Sequence, residues 1–153
     1  MIEYIVNEKE KITRAINFVN SIESDFPIPL SKQVNIEEYL KKLNKYGIII
    51  LGLDIERAGK VVGIFAGYAN DGQTKIAYGS LLGVSNEYRH QGIASNLVKK
   101  FMEEAKNAGM IKINLEAYKN NNVAINMYKK LGFGEQKSIK ASKDNKIILG
   151  KVL

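Results

Sequence analysis

The sequence predicts a mixed α/β (α+β) fold, a central mixed sheet of about seven strands carrying about four helices, on three observations. Two apolar runs, Ile48 to Asp54 and Lys60 to Tyr68, flank a charged turn that ends at Gly59 and read as a hairpin. A longer run, Lys75 to Val84, passes through the polar turn Ser85-Asn86-Glu87 into Gln91 to Asn107, where apolar residues recur at helical spacing. Ile111 to Ala117 then alternates Ile111, Ile113, Leu115 and Ala117 with Lys112, Asn114 and Glu116, the period of a strand with one polar face. A helix between two strands calls for a right-handed crossover, so the strands on either side of it should pair in parallel.

The remaining elements follow in chain order. Ile2 to Val6 reads as a short first strand, and Asn7 with Glu10 reads as an N-cap with its reciprocal carboxylate ahead of Ile12, Ala15, Ile16 and Val19 at helical spacing. Ser24 to Ser31 holds both prolines, Pro27 and Pro29, among Phe26, Ile28 and Leu30, which suits neither a helix nor a central strand. This stiff apolar loop either packs on the core or covers a ligand. Asn35 caps a second helix whose apolar face is Ile36, Tyr39, Leu40 and Leu43, with Glu38 at its third position, Val34 placed to staple onto Tyr39, and Gly47 beyond its end. Asn70-Asp71-Gly72 turns the chain into the strand Lys75 to Val84. The third helix buries Ile93, Ala94, Leu97, Val98, Phe101, Met102 and Ala105 and closes at Gly109. Asn121 caps a fourth helix that ends at Gly132, and Phe133 to Lys140 with Lys146 to Leu153 read as a last hairpin around Ser142 to Asn145.

Size and composition narrow the function. A chain of 153 residues is expected to form one domain, residues 1–153, with a core that needs no staples. Without cysteine there is no thiol nucleophile, disulfide or cysteine metal site, and the single His90 rules out a histidine cluster, so no metal is expected. The run Ile48 to Leu53 is too short to span a bilayer and Met1 to Tyr4 lacks a basic signal-peptide start, so a cytoplasmic location is expected. The net charge of +7 invites a nucleic-acid partner, but lysines are scattered through nearly every element without interleaved aromatics. No dedicated nucleic-acid binding is expected.

The stretch LLGVSNEYRHQGIASNL, Leu81 to Leu97, is the chemical centre of the chain. It is a strand, a turn and a helix start. The first turn of a helix offers backbone N–H groups without intrahelical partners and the positive end of the dipole, so an anion gains there. Gly92 and Ala94 let a phosphate approach closely, and Arg89 adds a fixed cation at the rim. Neither G-x-x-x-x-G-K-[ST] nor a dinucleotide G-x-G-x-x-G after a strand occurs, which removes the usual support for nucleotide hydrolysis and hydride transfer.

The pattern Arg89-x-x-Gly92-x-Ala94 resembles the acyl-CoA pyrophosphate loop of the GNAT superfamily of N-acyltransferases, and Asn121-x-x-Ala124-x-x-x-Tyr128-x-x-x-Gly132-Phe133 resembles its second hallmark. The resemblance implies the GNAT fold, whose parallel central strands splay, and acetyl-CoA as donor to an amine acceptor by direct attack in a ternary complex. It further implies that Arg89, His90, Gln91, Gly92, Ile93, Ala94 and Ser95 hold the pyrophosphate, that Leu82, Gly83 and Val84 hydrogen-bond the pantetheine arm like an added strand, and that Asn121 joins the cofactor site. Tyr128, two helical turns from Asn121 on the same face, is placed to protonate the leaving thiolate. Glu116, on the polar face of its strand, is the leading general base, with a structural ion pair as its alternative; Tyr78, Ser80 and Phe26 are placed to hold the acceptor.

The expected acceptor is a primary amine of a small molecule, an amino sugar or amino acid among them. A protein N-terminus or lysine is the alternative within the class, and a non-catalytic acyl-CoA-binding module the alternative outside it. The expected partners are acetyl-CoA and the amine, with no membrane, in a monomer or homodimer.

Overall fold

The computed structural model of the chain describes residues 1–7 and 12–153. Seven strands and four helices run in the order β1 (Ile2–Val6), α1 (Ile12–Ile22), α2 (Ile36–Tyr46), β2 (Ile48–Asp54), β3 (Lys60–Tyr68), β4 (Ile76–Val84), α3 (Ile93–Asn107), β5 (Lys112–Tyr118), α4 (Asn122–Lys130), β6 (Gly134–Glu135) and β7 (Lys146–Val152). They form one sheet in the order β1-β2-β3-β4-β5-β7-β6. Every neighbouring pair is antiparallel except β4 and β5, which are parallel and joined through α3.

Each face of the sheet has its own apolar layer. On one face α3 and α4 bury Leu97, Val98, Phe101 and Ile125 against Phe65, Ile113, Leu115 and Leu149. Phe65 and Phe101 meet with ring centroids 4.7 Å apart at 44°, an arrangement that adds about 1 kcal/mol to their burial. On the other face α1 and α2 bury Val19, Leu40 and Leu43 against Leu51, Ile64 and Leu81. The pair β2 and β3 is covered on both sides, and its strands are accordingly almost continuously apolar.

Two local features of β4 shape the site. Ala66 pairs with Leu81 and Gly67 with Gly79, which leaves Ser80 as an extra, bulged residue. Gly67 sits at the bulge because a Cβ there would strike the Tyr78 carbonyl oxygen and lie 2.8 Å from the Phe101 ring. Beyond the bulge β4 parts from β5: their pairing ends at Gly79 with Leu115, although β4 runs on to Val84 and β5 to Tyr118. Glu116 to Tyr118 pair with β7 alone. The parallel pair is therefore splayed, and the β5-facing edge of Ser80 to Val84 has no strand beside it.

Several boundaries differ from expectation. The last hairpin arm is strand only at Gly134 and Glu135; after Gln136, whose amide donates to the Ile148 carbonyl at 2.8 Å, the chain turns at Gln136 to Ile139 and lies over β5. α3 starts at Ile93 rather than Gln91, since Gly92 at φ 77° is its N-cap, and α4 ends at Lys130, two residues before Gly132 at φ 96°. Asn7 does not turn to α1: its Oδ1 accepts from the Ile49 amide at 2.9 Å and lengthens the β1–β2 pairing. Its expected partner Glu10 lies outside the described residues. Asn35 does cap α2, accepting from the Glu38 amide at 3.0 Å.

Candidate functional site

The turn Asn86–Tyr88 and the loop Arg89 to Gly92 carry the chain from β4 into α3. The turn is clipped in place from two sides. The Tyr88 hydroxyl donates to Asp54 Oδ2 at 2.7 Å, and Asn86 Nδ2 donates to Asp25 Oδ2 at 3.2 Å. The Tyr88 hydrogen bond, supported by the Glu56 amide and nearby positive charge, holds the Asp54 carboxyl below its ordinary value despite burial.

After that anchor the backbone changes hand. His90 lies at φ 64° and Gly92 at φ 77°, with Gln91 between them not at positive φ, and such alternation curls successive N–H groups toward one concave side. The first amide that bonds back within α3 is that of Asn96, to the Gly92 carbonyl. The N–H groups of His90, Gln91, Gly92, Ile93, Ala94 and Ser95 accordingly donate to no backbone carbonyl among the described residues. Six consecutive free donors at a helix N-terminus make an anion cradle, and the exposed Arg89 stands at its edge, in no ion pair with a described carboxylate.

The splay between β4 and β5 opens beside this cradle. Leu82 and Val84 turn their side chains into the α3 layer, and Gly83 is buried under α1 and the α1–α2 connection, where a Cβ would meet Ile22 Cδ1 at 2.5 Å and the Phe26 ring at 3.4 Å. What these residues offer toward β5 is therefore backbone. Asn121, three residues beyond the end of β5, is the N-cap of α4, its Oδ1 accepting from the Ala124 amide at 3.3 Å.

Tyr128 projects from α4 into the α3 layer, its ring edge-on to Phe133 at 5.7 Å between centroids. The residue is only 6% exposed, and burial holds its phenol far above the ordinary value, in the neutral, donating form. Its hydroxyl makes no hydrogen bond to a described residue. A neutral O–H whose proton is engaged with no described partner is what a proton donor requires.

On the opposite face of the sheet, Glu116 collects three donors. Its Oε1 accepts from the Tyr78 hydroxyl at 3.3 Å, and its Oε2 accepts from Ser142 Oγ at 2.6 Å and the Ser142 amide at 3.3 Å. Tyr78 is 39% exposed beside this carboxylate, and the partial burial of its phenol with the neighbouring negative charge pushes it up to about 12. Glu116 is held by these neutral donors and makes no ion pair with a described lysine. Asn114 Oδ1 and the Tyr118 hydroxyl, two residues to either side on the same strand face, are buried without a hydrogen-bond partner among the described residues. Ser80, at the bulge, hydrogen-bonds the Tyr39 hydroxyl of α2, and Phe26 packs on the α1–α2 layer with its edge at Gly83.

These residues fall into two groups on the two sides of one slit: the cradle with Asn121 and Tyr128 at the α3 and α4 side, and Tyr78, Ser80, Phe26 and Glu116 at the other. Ser142 and Tyr39 join the second group, and neither was singled out from the sequence. An open groove of about 760 Å³ lies elsewhere, between α1 and the β2–β3 turn, and contains none of the expected site residues. The slit is a gap between two strands whose pairing ends at Gly79 and Leu115. Among the described residues no group of three or more histidine, aspartate or glutamate side chains gathers as for a metal ion.

Comparison with known sequences agrees with this geometry. The sequence model of the Acetyltransferase (GNAT) family matches residues 16–133. The chain belongs to the GNAT acetyltransferase family. As a GNAT chain it is 39% identical over 104 residues to Acetyltransferase SG1711 of Sodalis glossinidius, covering 67% of this chain and 66% of that one. It is 37% identical over 68 residues to N-alpha-acetyltransferase 30 of Schizosaccharomyces pombe, covering 44% and 45% of the two chains. The chain therefore spans less than two thirds of the length of these curated relatives. Its fold matches a GNAT acetyltransferase from Staphylococcus aureus Mu50 with a TM-score of 0.79 at 19% identity, over 99% of both chains.

Proposed function

We propose that this chain, acting as one domain, transfers the acetyl group of acetyl-CoA to a primary amine of a small molecule by direct attack in a ternary complex. The observation that carries the proposal is the splay: an unpaired β4 edge, Ser80 to Val84, that leads through the turn Asn86–Tyr88 into six free backbone donors at the α3 N-terminus. A pantetheine amide can take the place of the missing strand while the pyrophosphate occupies the cradle and Arg89 offsets its charge.

The chemistry then divides across the slit. Glu116 accepts the proton of the incoming ammonium, directly or through a water, and frees the nitrogen lone pair. The nitrogen bonds to the thioester carbonyl carbon, whose oxygen meets a β4 amide near the bulge. As the C–S bond breaks, Tyr128 gives its proton to the sulfur, the second proton of the attacking nitrogen passes through water to the Tyr128 oxygen and restores the phenol, and Glu116 releases the first to solvent; the products are an N-acetyl amide and CoA. Phe26, Tyr78 and Ser80 form the wall against which the acceptor rests.

A second reading has its own support. Similarity to a protein named N-alpha-acetyltransferase favours the α-amine of a protein N-terminus as acceptor. Both readings are tested by thiol release from acetyl-CoA against a panel of amino sugars, amino acids, polyamines and peptides. Release with small amines supports the first reading, release with peptides alone supports the second, and amine-independent behaviour throughout contradicts both.

A further inference from the structure

The excess of positive charge is not spread evenly once the fold is known. Residues 112–153, from β5 to the end of the chain, hold nine lysines against Glu116, Glu135 and Asp144, and so carry six of the seven net positive charges. Three of those lysines, Lys137, Lys140 and Lys143, lie exposed on the connection between β6 and β7. Lys146 follows with its ammonium 4.8 Å from the centre of the Tyr118 ring.

This connection is pinned to the acceptor side of the slit. Gln136 bonds β7 through its amide and accepts from Lys112 Nζ at 2.8 Å, the Lys119 amide donates to the Asn145 carbonyl at 2.8 Å, and Ser142 reaches Glu116 through both Oγ and N. Lys143 adjoins Ser142 and Lys140 is two residues away, so with Cα atoms about 3.8 Å apart their long, exposed side chains can bring an ammonium within roughly 10 Å of the Glu116 carboxylate, about one Debye length at 0.1 M salt. None of Lys137, Lys140 and Lys143 pairs with a carboxylate among the described residues, whereas Lys41, Lys60 and Lys100 do. A basic lip beside the base disfavours a plain polycation as acceptor, because the amine arrives as a cation itself.

Resting on the proposed acetyl transfer, we infer that the acceptor amine carries its own negative charge, as carboxylate or phosphate, which the Lys140–Lys143 lip receives while the amine meets Glu116. The same chemistry can come from a small amino acid or sugar phosphate or from an acidic peptide, and matched acceptors separate the two. The probes are glucosamine against glucosamine 6-phosphate, and peptides of one N-terminal residue followed by acidic or by neutral residues, compared by kcat/KM. The expected result is at least an about tenfold preference for the anionic member of one pair at low salt, reduced severalfold near 0.5 M salt.

Lys140→Glu with Lys143→Glu should abolish that preference through the acceptor KM, and Lys140→Gln with Lys143→Gln should reduce it. The matched control Lys45→Glu with Lys106→Glu, on exposed faces of α2 and α3, makes the same change in net charge and should keep the preference. Transfer without charge preference, or a preference equally lost in the control, overturns this inference alone. Absence of amine-dependent thiol release from every acceptor overturns the acetyltransferase reading beneath it.

Discussion

Replacing Tyr128 by phenylalanine removes one oxygen and leaves the ring. The ring is what the core uses: it is 6% exposed and packs edge-on against Phe133 at 5.7 Å. The hydroxyl makes no hydrogen bond to a described residue, so its loss strands no partner. The stability change should stay within about 0.5 kcal/mol, a shift of no more than about 2 °C in Tm for a chain of this size. The chemical cost should be far larger. A positioned general acid contributes about 10²- to 10⁴-fold, so kcat should fall by at least about a hundredfold, some 2.7 kcal/mol in the barrier, while the acetyl-CoA KM changes less than about twofold. Initial-rate thiol release with saturating acceptor, paired with thermal melts, measures both quantities. A variant with unchanged kcat would refute the acid role, and a variant that melts far lower would refute the claim that the hydroxyl is structurally idle. Because burial raises the Tyr128 phenol above its unfolded value, its stabilising contribution is complete below about pH 10 and is lost as the pH climbs toward the folded value. Tyr128→Phe should accordingly melt less steeply with rising pH in that range than the parent protein.

Other substitutions probe other links. Arg89→Glu places an anion at the rim of the cradle and should weaken acetyl-CoA binding about tenfold or more at low salt, measured by calorimetry, with little change in Tm; unaltered affinity would remove Arg89 from the phosphate site. Gly67→Ala drives a methyl onto the Tyr78 carbonyl and the Phe101 ring at the β4 bulge, and overpacking of that kind costs about 1–3 kcal/mol, so Tm should fall by several degrees and kcat with it. Asp54 titrates below its ordinary value because Tyr88 donates to it. Its contribution is therefore present above the unfolded carboxyl value near pH 4 and is lost as pH falls through the lower folded value. Tyr88→Phe should flatten the acid side of the Tm profile and raise the acetyl-CoA KM; a parallel, unflattened profile would contradict the anchor.

Much of the fold was legible because its signals are local. Asn35 ahead of Glu38, the alternation of Ile111 to Ala117 and the turn residues Asn70 to Gly72 act over a few residues, and the elements they announce are present. The parallel pair was legible from a helix lying between two strands. The errors came where a distant partner decides. Asn7 looks like a cap in sequence, but the amide of Ile49, forty-two residues on, takes its side chain. Lys137 to Lys140 has strand-like residues, yet Ser142 draws the chain off the sheet edge onto Glu116.

The site divides in the same way. The cradle was readable because glycine at a helix start has a local meaning, although the left-handed His90 that completes the curl carries no such mark. Glu116 was visible as a polar residue on a strand, but its partners Tyr78 and Ser142 come from positions 38 and 26 residues away. Tyr39 read as part of a helix's buried face, and only the bulge at Ser80 brings the β4 hydroxyl to its phenol.

Calorimetric titration of the purified protein with acetyl-CoA examines the β4–β5 slit and its cradle most directly. One acetyl-CoA per chain, with affinity that falls in Arg89→Glu and persists in Tyr128→Phe, is the predicted result. No binding, or binding indifferent to Arg89, would contradict the assignment of this slit as the acyl-CoA site.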